Sequence, residues 1–395
     1  MTEKIYKEKI KQSVEILNEK DIDMWLTFVR ESSIMHDPAI DMIAGINLTW
    51  QSALMISRKG EAAAIVGSLE VDNINRTGLF DFAEGYVESF TKPFVDYLKK
   101  NDPKKIAINY SKNSTLADGL THGLYLILLD HLKDTLYAER LVSSEEIIAA
   151  LRGRKSNAEL IIMKEAIVET LKIFDEAAGF IKAGVSELDI ANFVKEKAFE
   201  RGFGMAWDED HCPAVFAGPE TGSAHSGPTD NKVQKGHIVN MDFGIKHKGY
   251  CSDLQRMWYI LRDGETKAPA EVQKGFEVIR DAIQKAAAAI KPGMQGCEID
   301  DVARNYIIEN GYEGYPHGLG HQVGKVAHDG GSGLFPRWDR YGNAPYIPIE
   351  EGQIYTIEPR LPVEGFGTST LEEEIVVTKN GCEFISEPQK ELLLI

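Results

Sequence analysis

The strongest constraint on the fold is the segment of residues 237–260, in which apolar and polar residues alternate on both sides of a short turn sequence. This alternation, interrupted by Lys-His-Lys-Gly at residues 246–249, is typical of an antiparallel hairpin. A turn centred between residues 247 and 248 would place Asp242 directly opposite Asp253. Two carboxylates that face each other across a ladder repel. A cation bound between them would remove this repulsion. For one pair taken alone, two exposed aspartates on a solvated face remain the alternative.

A second predicted hairpin, at residues 353–378, repeats this arrangement. Its turn centres on Gly365, which places Glu358 opposite Glu372. Glu372 begins a run of three glutamates, so a solvated charge run is the alternative interpretation here. Two independent facing pairs of acids nevertheless favour a shared role over coincidence.

Three histidines lie between the two hairpins, in the segment HGLGHQVGKVAHD: His317, His321 and His328. A single histidine is more often structural than functional, but three in a glycine-rich stretch between paired acids favour function. Four carboxylates and at least one imidazole, without a thiolate, are typical of a site for Mn, Co, Fe or Zn and not of a structural zinc site. Four negative charges indicate two ions. Such a pair of ions activates water and polarises a carbonyl, which predicts hydrolysis of an amide-like bond.

Composition excludes several other classes of protein. Lys and Arg number 44 against 61 Asp and Glu, and the formal net charge of −17 argues against nucleic acid or an anionic membrane as a partner. No apolar run approaches the ~18 residues of a membrane span, and the N-terminus lacks the apolar core of a signal peptide. The four scattered cysteines indicate neither a disulfide framework nor a zinc finger. We expect a cytoplasmic protein.

A chain of 395 residues is long enough for two domains. Residues 1–150 alternate between helical and strand patterns, with a hairpin turning at Lys59-Gly60, and no glycine-rich phosphate loop follows any of the strands. Ser156-Asn157 can begin a long helix just after this boundary. Residues 151–395 contain two further helical patterns, at residues 186–202 and 268–290.

Four motifs in combination, DFGIKHKGYCSD, HGLGHQVG, TIEP and LEEEIVVT, resemble those of the pita-bread-fold metallopeptidases, in particular the branch with prolidase, aminopeptidase P and creatinase. The resemblance spans the whole chain and implies an α+β fold. A creatinase-like N-terminal α/β domain (residues 1–150) would precede a pita-bread catalytic domain (residues 151–395). In that family two Asp, one His and two Glu hold the metals. The matching residues, in the same chain order, are Asp242, Asp253, His321, Glu358 and Glu372.

The resemblance also implies a function: a dinuclear metal-dependent hydrolase that cleaves the bond before proline in short Xaa-Pro peptides. Mn²⁺ is the ion most expected, with Co²⁺, Zn²⁺ or Fe²⁺ as alternatives. A metal-bridging hydroxide would be the nucleophile and Glu358 the general base, with His225, His317 and His328 lining the cleft. A homodimer is expected, as is common in the family.

Several alternatives stay open. Dipeptidase and aminopeptidase activities depend on how far the N-terminal domain closes the cleft. A second possible function is metal-dependent hydrolysis of a non-peptide substrate with an amide-like or C–N bond. A non-catalytic binding protein is a third, disfavoured because all five ligand positions are retained.

Three positions depart from the family pattern: Gln255 stands in place of the usual Thr, Arg360 of the usual Gly, and Thr370 of a frequent Arg. The second hairpin places Arg360 opposite Thr370. We therefore hypothesise that Arg360 supplies the guanidinium missing from position 370. The alternative is a surface arginine paired with Glu364 or Glu374.

The segment of residues 334–348 is rich in aromatic residues and proline. It is a candidate for the substrate wall, with Trp338, Tyr341 or Tyr346 packing on proline. A well-packed surface loop is the alternative.

Overall fold

The computed structural model describes residues 2–220 and 227–395. The chain divides into two units, Met1–Arg152 and Gly153–Ile395. Among the described residues, no helix combines the length and the apolar character that crossing a membrane requires.

The N-terminal unit is built on a six-stranded mixed sheet with the strand order β4-β3-β2-β1-β5-β6. Its first three strands pair antiparallel, and the pairs β3–β4, β1–β5 and β5–β6 are parallel. The predicted hairpin at Lys59-Gly60 is confirmed, with Gly60 at a φ of 99°. The strands are β1 Met24–Val29, β2 Ser52–Ser57, β3 Ala62–Gly67, β4 Phe82–Tyr86, β5 Ile106–Ile108 and β6 Leu141–Ser143.

Helices cover both faces of this sheet, because alternate residues of its central strands are apolar on each side. Trp25 of β1 belongs to a core with α1 and α6, whereas Phe28 belongs to a core with α4 and α5. This α/β layering agrees with the sequence pattern. The helices are α1 Glu3–Glu19, α2 Ile40–Ile43, α3 Val71–Thr77, α4 Thr91–Asn101, α5 His122–Leu132 and α6 Glu145–Gly153.

The C-terminal unit begins with α7, whose predicted start is confirmed. The Ser156 side chain accepts a hydrogen bond from the Glu159 backbone, and the Glu159 side chain reaches back to the Ser156 backbone, which completes a capping box. The two further predicted helices are also present. A third, α10, was not predicted. The helices of this unit are α7 Asn157–Phe180, α8 Glu187–Glu200, α9 Ala270–Ala289 and α10 Gly296–Glu309.

The strands of this unit form several small sheets and ribbons, and β8, β9, β12 and β20 make up the largest of them. Two apolar cores lie among these strands and the helices, one with α9 and α10 and one with α7 and α8. The strands are β7 Gly204–Met205, β8 Ala214–Ala217, β9 Ile238–Phe243, β10 Ile245–His247, β11 Tyr250–Cys251, β12 Leu254–Tyr259, β13 Gly320–His321, β14 Gly333–Leu334, β15 Ile354–Ile357, β16 Arg360–Val363, β17 Gly367–Thr370, β18 Glu373–Thr378, β19 Gly381–Phe384 and β20 Leu393–Leu394.

The first predicted hairpin forms, but its predicted register is wrong by two residues. Asp242 pairs with Gln255, not with Asp253. The turn is centred between Lys248 and Gly249, whose φ angles of 49° and 85° are those of a two-residue type I′ turn. A shift by two keeps every side chain on its predicted face, so Asp242 and Asp253 remain on the same face as diagonal neighbours.

The second predicted hairpin has the predicted register. Arg360 pairs with Thr370 in the β16–β17 ribbon, and Ile357 pairs with Glu373 between β15 and β18. Glu358 and Glu372 lie between these two ladders, at positions that face each other in the same register.

Candidate metal centre

Five side chains from separate strand ends converge on one site in the C-terminal unit. One ligand atom each from Asp253, His321 and Glu372 lies within 4.8 Å of the other two. His321 Nε2 lies 3.7 Å from Asp253 Oδ2 and 3.5 Å from Glu358 Oε1. The carboxyl groups of Asp242 and Asp253 are close enough to share a hydrogen bond. The structure thus brings together all five residues that the sequence singles out as ligands.

Hydrogen bonds hold the backbone of three of these residues in place. The Asp253 N–H donates to Glu374 Oε1 at 2.7 Å. The Glu358 N–H donates to the Leu319 carbonyl at 2.7 Å, which connects the two segments that carry Glu358 and His321. Glu372 and Gln255 exchange two backbone hydrogen bonds, at 3.3 and 3.4 Å.

The ring of His321 is oriented by its own neighbours. Its backbone N–H donates to Thr356 Oγ1 at 3.1 Å, and its Nδ1 lies 3.2 Å from the Gln322 carbonyl. A proton on Nδ1 would satisfy that carbonyl and leave the lone pair of Nε2 toward the acids, the usual arrangement of a ligand histidine. Gly320, just before it, has no room for a side chain, because an added Cβ would lie 2.0 Å from the Thr356 carbonyl oxygen.

The site concentrates acidic groups that are buried or half-buried. Burial raises the pKa of Asp242 to about 7, although hydrogen bonds from Asp253 and Gln255 act in the opposite direction. Burial is the main cause of the raised pKa of Asp253, Glu358 and Glu372, and neighbouring carboxylates add to it. Without a positive charge among them, these acids favour their protonated forms.

The same burial keeps the imidazole of His321 neutral. Desolvation, with a contribution from nearby His328, lowers the pKa of His321 to about 3. A neutral ring is the form that binds a metal ion.

The residues present fit a divalent cation. Asp242 Oδ1 and Glu372 Oε2 are buried and have no hydrogen-bond partner within the described residues. Buried carboxylate oxygens without a donor are costly unless a cation compensates them. The donor set consists of oxygen and imidazole nitrogen, which suits first-row divalent ions.

Comparison with known proteins agrees with this chemistry. Residues 162–379, more than half of the chain, match metallopeptidase family M24. The chain belongs to metallopeptidase family M24. It is therefore an enzyme of the metallopeptidase class, and the family uses divalent metal ions.

Relatives of this M24 metallopeptidase extend over almost its full length. An uncharacterized peptidase of Staphylococcus saprophyticus is 28% identical over 340 residues, 86% of this chain and 88% of the relative. The Xaa-Pro dipeptidase of Pyrococcus horikoshii is 26% identical over 396 residues, 98% of this chain and 99% of the relative. The solved Xaa-Pro dipeptidase from Bacillus anthracis has a TM-score of 0.74 at 25% identity and covers 99% of this chain and 100% of its own. The predicted α+β fold is confirmed, and the M24 match assigns the catalytic domain to the C-terminal region of the chain.

Two of the three flanking histidines predicted from the sequence lie beside the M24 site. The rings of His328 and His321 meet edge to face, with centroids 4.2 Å apart. His317 Nδ1 lies 2.7 Å from the Gly318 carbonyl, and burial lowers the pKa of His317 to about 4. The third, His225, lies outside the described residues.

Two of the departures from the family pattern contact each other. Gln255 Nε2 donates to Asp242 Oδ2 at 3.2 Å, and the Thr370 hydroxyl donates to Gln255 Oε1 at 2.8 Å. This chain of side chains orients Asp242. In the described part of the chain, Arg360 makes no ion pair with Glu364 or Glu374.

The three aromatic residues considered for the substrate wall differ in their surroundings. Tyr341 accepts a hydrogen bond from the Gly318 N–H at 2.9 Å and thereby supports the loop of His317. Trp338 packs between two guanidinium groups, those of Arg304 and Arg340, at 5.0 and 4.8 Å. Tyr346 is 44% exposed. Among the described residues, it makes no recorded contact with the five assigned metal ligands.

Glu374 was missed by the sequence interpretation as a member of the site. A solvated charge run was the alternative interpretation for this stretch, and it is excluded because Glu372, Glu373 and Glu374 are all buried. Glu373 pairs with Arg256 at 3.0 Å, while Glu374 holds the backbone of Asp253. The available signal was the setting of these acids, which directly precede the apolar strand residues Ile-Val-Val.

Proposed function

We propose that this M24 metallopeptidase is a dinuclear metal-dependent hydrolase that cleaves the peptide bond before proline in short peptides. The observation that carries the proposal is the cluster of four buried or half-buried carboxylates beside His321, two of which have buried oxygen atoms without hydrogen-bond partners among the described residues. A relative and a solved structure that are named Xaa-Pro dipeptidases support the substrate class. The oxygen-rich donor set supports Mn²⁺ as the ion, with Co²⁺, Zn²⁺ or Fe²⁺ as alternatives.

In this proposal the metal ligands are Asp242, Asp253, His321, Glu358 and Glu372. Two divalent cations, when bound, supply Lewis-acid polarisation of the scissile carbonyl and lower the pKa of water. Glu358, whose Oε1 lies 3.5 Å from His321 Nε2, is assigned as the general base that takes the proton of the attacking water.

The flanking histidines position the substrate in this proposal. With its Nδ1 proton donated to the Gly318 carbonyl, His317 presents Nε2 as a hydrogen-bond acceptor. Its lowered pKa keeps this nitrogen unprotonated at neutral pH. His328 packs on the ring of His321 and restricts its motion. His225 is assigned to the cleft on the sequence resemblance alone.

The test is hydrolysis of a Xaa-Pro dipeptide and of a longer Xaa-Pro peptide by metal-stripped protein resupplied with Mn²⁺. We expect cleavage that depends on the metal and is lost in Asp253→Ala. Asp263→Ala, which removes a 90% exposed carboxylate, is the matched control and should retain activity. Metal binding without cleavage of either peptide would refute the Xaa-Pro assignment and direct the search to other amide-like substrates. Failure to bind metal would refute the proposal as a whole.

A further inference from the structure

The side chain of Arg360 is half-buried and lacks the carboxylate partner that other inward arginines of its unit have. Arg256 and Arg304 lie 3.0 and 2.7 Å from carboxylate oxygens. Within residues 2–220 and 227–395, no carboxylate oxygen lies within 4.0 Å of the Arg360 guanidinium, and its side chain makes no hydrogen bond. The remaining residues, Met1 and 221–226, contain no Asp or Glu. The side chains of the chain therefore offer Arg360 no carboxylate.

Strand geometry places Arg360 on the metal-centre side of its ribbon. Leu361 and Val363 of β16 are buried against α9, where an added Cβ on Gly275 would meet both side chains. Alternate residues of a strand point to opposite faces, so Arg360 and its cross-strand neighbour Thr370 lie on the other face. Thr370 contacts Gln255 there, and Gln255 contacts Asp242.

Electrostatics agree with this placement. Burial raises the pKa of Glu358 and the positive charge of Arg360 opposes that rise, whereas burial lowers the pKa of His317 and the charge of Arg360 adds to that effect. The guanidinium therefore lies near the assigned general base and near a histidine assigned to the substrate. It is not used to orient Asp242, because Gln255 and Thr370 already do so.

A partly desolvated guanidinium without a hydrogen-bonded carboxylate loses hydration that a distant charge such as that of Glu358 does not replace. A planar carboxylate satisfies it best, through two parallel hydrogen bonds. We propose that Arg360 is a specificity-determining residue that binds a carboxylate of the substrate beside the metal centre. This inference rests on the proposed function and adds the substrate class: peptides that carry a free carboxylate close to the scissile bond.

Two parts of a short peptide can supply that carboxylate. One is the C-terminus of a Xaa-Pro dipeptide, and the other is an acidic side chain. The experiment compares kcat/KM for Ala-Pro, Ala-Pro-amide and Glu-Pro-amide in the wild type, Arg360→Gln and Arg360→Lys. Arg262→Gln is the matched control, because Arg262 is 50% exposed, pairs with Glu265 and belongs to neither the assigned ligands nor the candidate substrate wall.

We expect Arg360→Gln to lower kcat/KM for Ala-Pro about 10- to 150-fold, the range for losing hydrogen bonds between charged groups. The kcat/KM for Ala-Pro-amide should change little. For Ala-Pro, the kcat/KM of Arg360→Lys should lie between those of the wild type and Arg360→Gln, because lysine keeps the charge but cannot form two parallel hydrogen bonds. A selective loss on Glu-Pro-amide would support the carboxylate site with the side chain as its source. Equal losses on all three peptides, or a lower metal content in Arg360→Gln, would overturn the inference.

A binding measurement separates this inference from the proposed function. If the wild type cleaves none of these peptides, the proposed function fails while Arg360 remains testable. Calorimetric titration with N-acetylproline and N-acetylalanine, each against its amide, measures carboxylate recognition without turnover. We expect at least one acid to bind more tightly than its amide in the wild type, with the preference lost in Arg360→Gln. Absence of any such preference in the wild type, or its survival in Arg360→Gln, would overturn the carboxylate site.

Discussion

Glu374 lies beneath the metal centre and should make the stability of the metal-free protein depend on pH. It is fully buried, and its Oε1 accepts the Asp253 N–H. Its Oε2 has no hydrogen-bond partner among the described residues. Burial raises the pKa of Glu374 from 4.5 to about 8, against the opposing effects of the hydrogen bond from the Asp253 N–H and of the charge of Lys155. The folded protein therefore retains this proton at pH values where the unfolded chain has lost it.

The sign of the effect follows from the raised pKa. Below the unfolded pKa of 4.5 both states hold the proton, and the contribution of Glu374 to stability is fully present. As the pH rises toward the folded pKa, the unfolded state binds fewer protons than the folded state, so the free energy of unfolding falls. Each pKa unit corresponds to about 1.36 kcal/mol. Between about pH 5 and about pH 7 the loss is therefore about 3 kcal/mol.

Glu374→Gln tests this reasoning, because glutamine resembles the protonated acid and can still accept the Asp253 N–H. Urea unfolding of EDTA-treated protein, followed by fluorescence and circular dichroism, gives the free energy of unfolding at each pH. Relative to the wild type, Glu374→Gln should gain about 3 kcal/mol between about pH 5 and about pH 7. Glu383→Gln, in an exposed position on β19, is the control for loss of a carboxylate from the same sheet. A difference between Glu374→Gln and the wild type that does not vary with pH would refute the argument.

Three further predictions concern the metal centre. Because the pKa values of the assigned carboxylate ligands are raised, Mn²⁺ binding near neutral pH should release protons, and calorimetric heats should differ between buffers of different ionisation enthalpy; equal heats would contradict this. Gln255→Leu removes the amide that orients Asp242, so we expect metal affinity to fall about 10- to 100-fold by calorimetry while the fold is retained. Gly320→Ala should destabilise the protein by about 1–3 kcal/mol, because the added Cβ meets the Thr356 carbonyl oxygen. Thermal unfolding measures this, and Gly179→Ala, where an added Cβ meets nothing within 4 Å, should not lose stability.

The two hairpins show what can be predicted from alternation and what cannot. Alternation sets the face of each residue, because the side-chain period of a strand is two. It does not set the pairing partner, which depends on the turn. In the first hairpin, Lys248 has a φ of 49°, a conformation that lysine rarely adopts, so its residue type does not indicate a turn centred there. Gly365, with a φ of 77°, marked the second turn plainly.

Helix α10 was missed for a related reason. It begins at Gly296, a residue that weakens a helix, and its cap is Gln295 in place of the usual Ser, Thr, Asp or Asn. The glycine is required by packing, because an added Cβ would lie 1.9 Å from the Gly333 carbonyl oxygen. The buried positions Ile299, Ala303 and Ile307 have helical spacing. The helix was therefore missed because its first residues have a low helix propensity, although the spacing of its apolar residues indicated a helix.

The departures from the family pattern become intelligible only in three dimensions. The sequence links Arg360 with Thr370 through the register of the second hairpin, but it does not link either residue with Gln255. In the structure Gln255 and Thr370 form one hydrogen-bonded pair on Asp242, and Arg360 is the cross-strand neighbour of Thr370. Because the pair already orients Asp242, the arginine is not needed for that role. Under the proposal that Arg360 binds a carboxylate of the substrate, the change at position 360 would bear on substrate recognition and would leave the five assigned metal ligands in place.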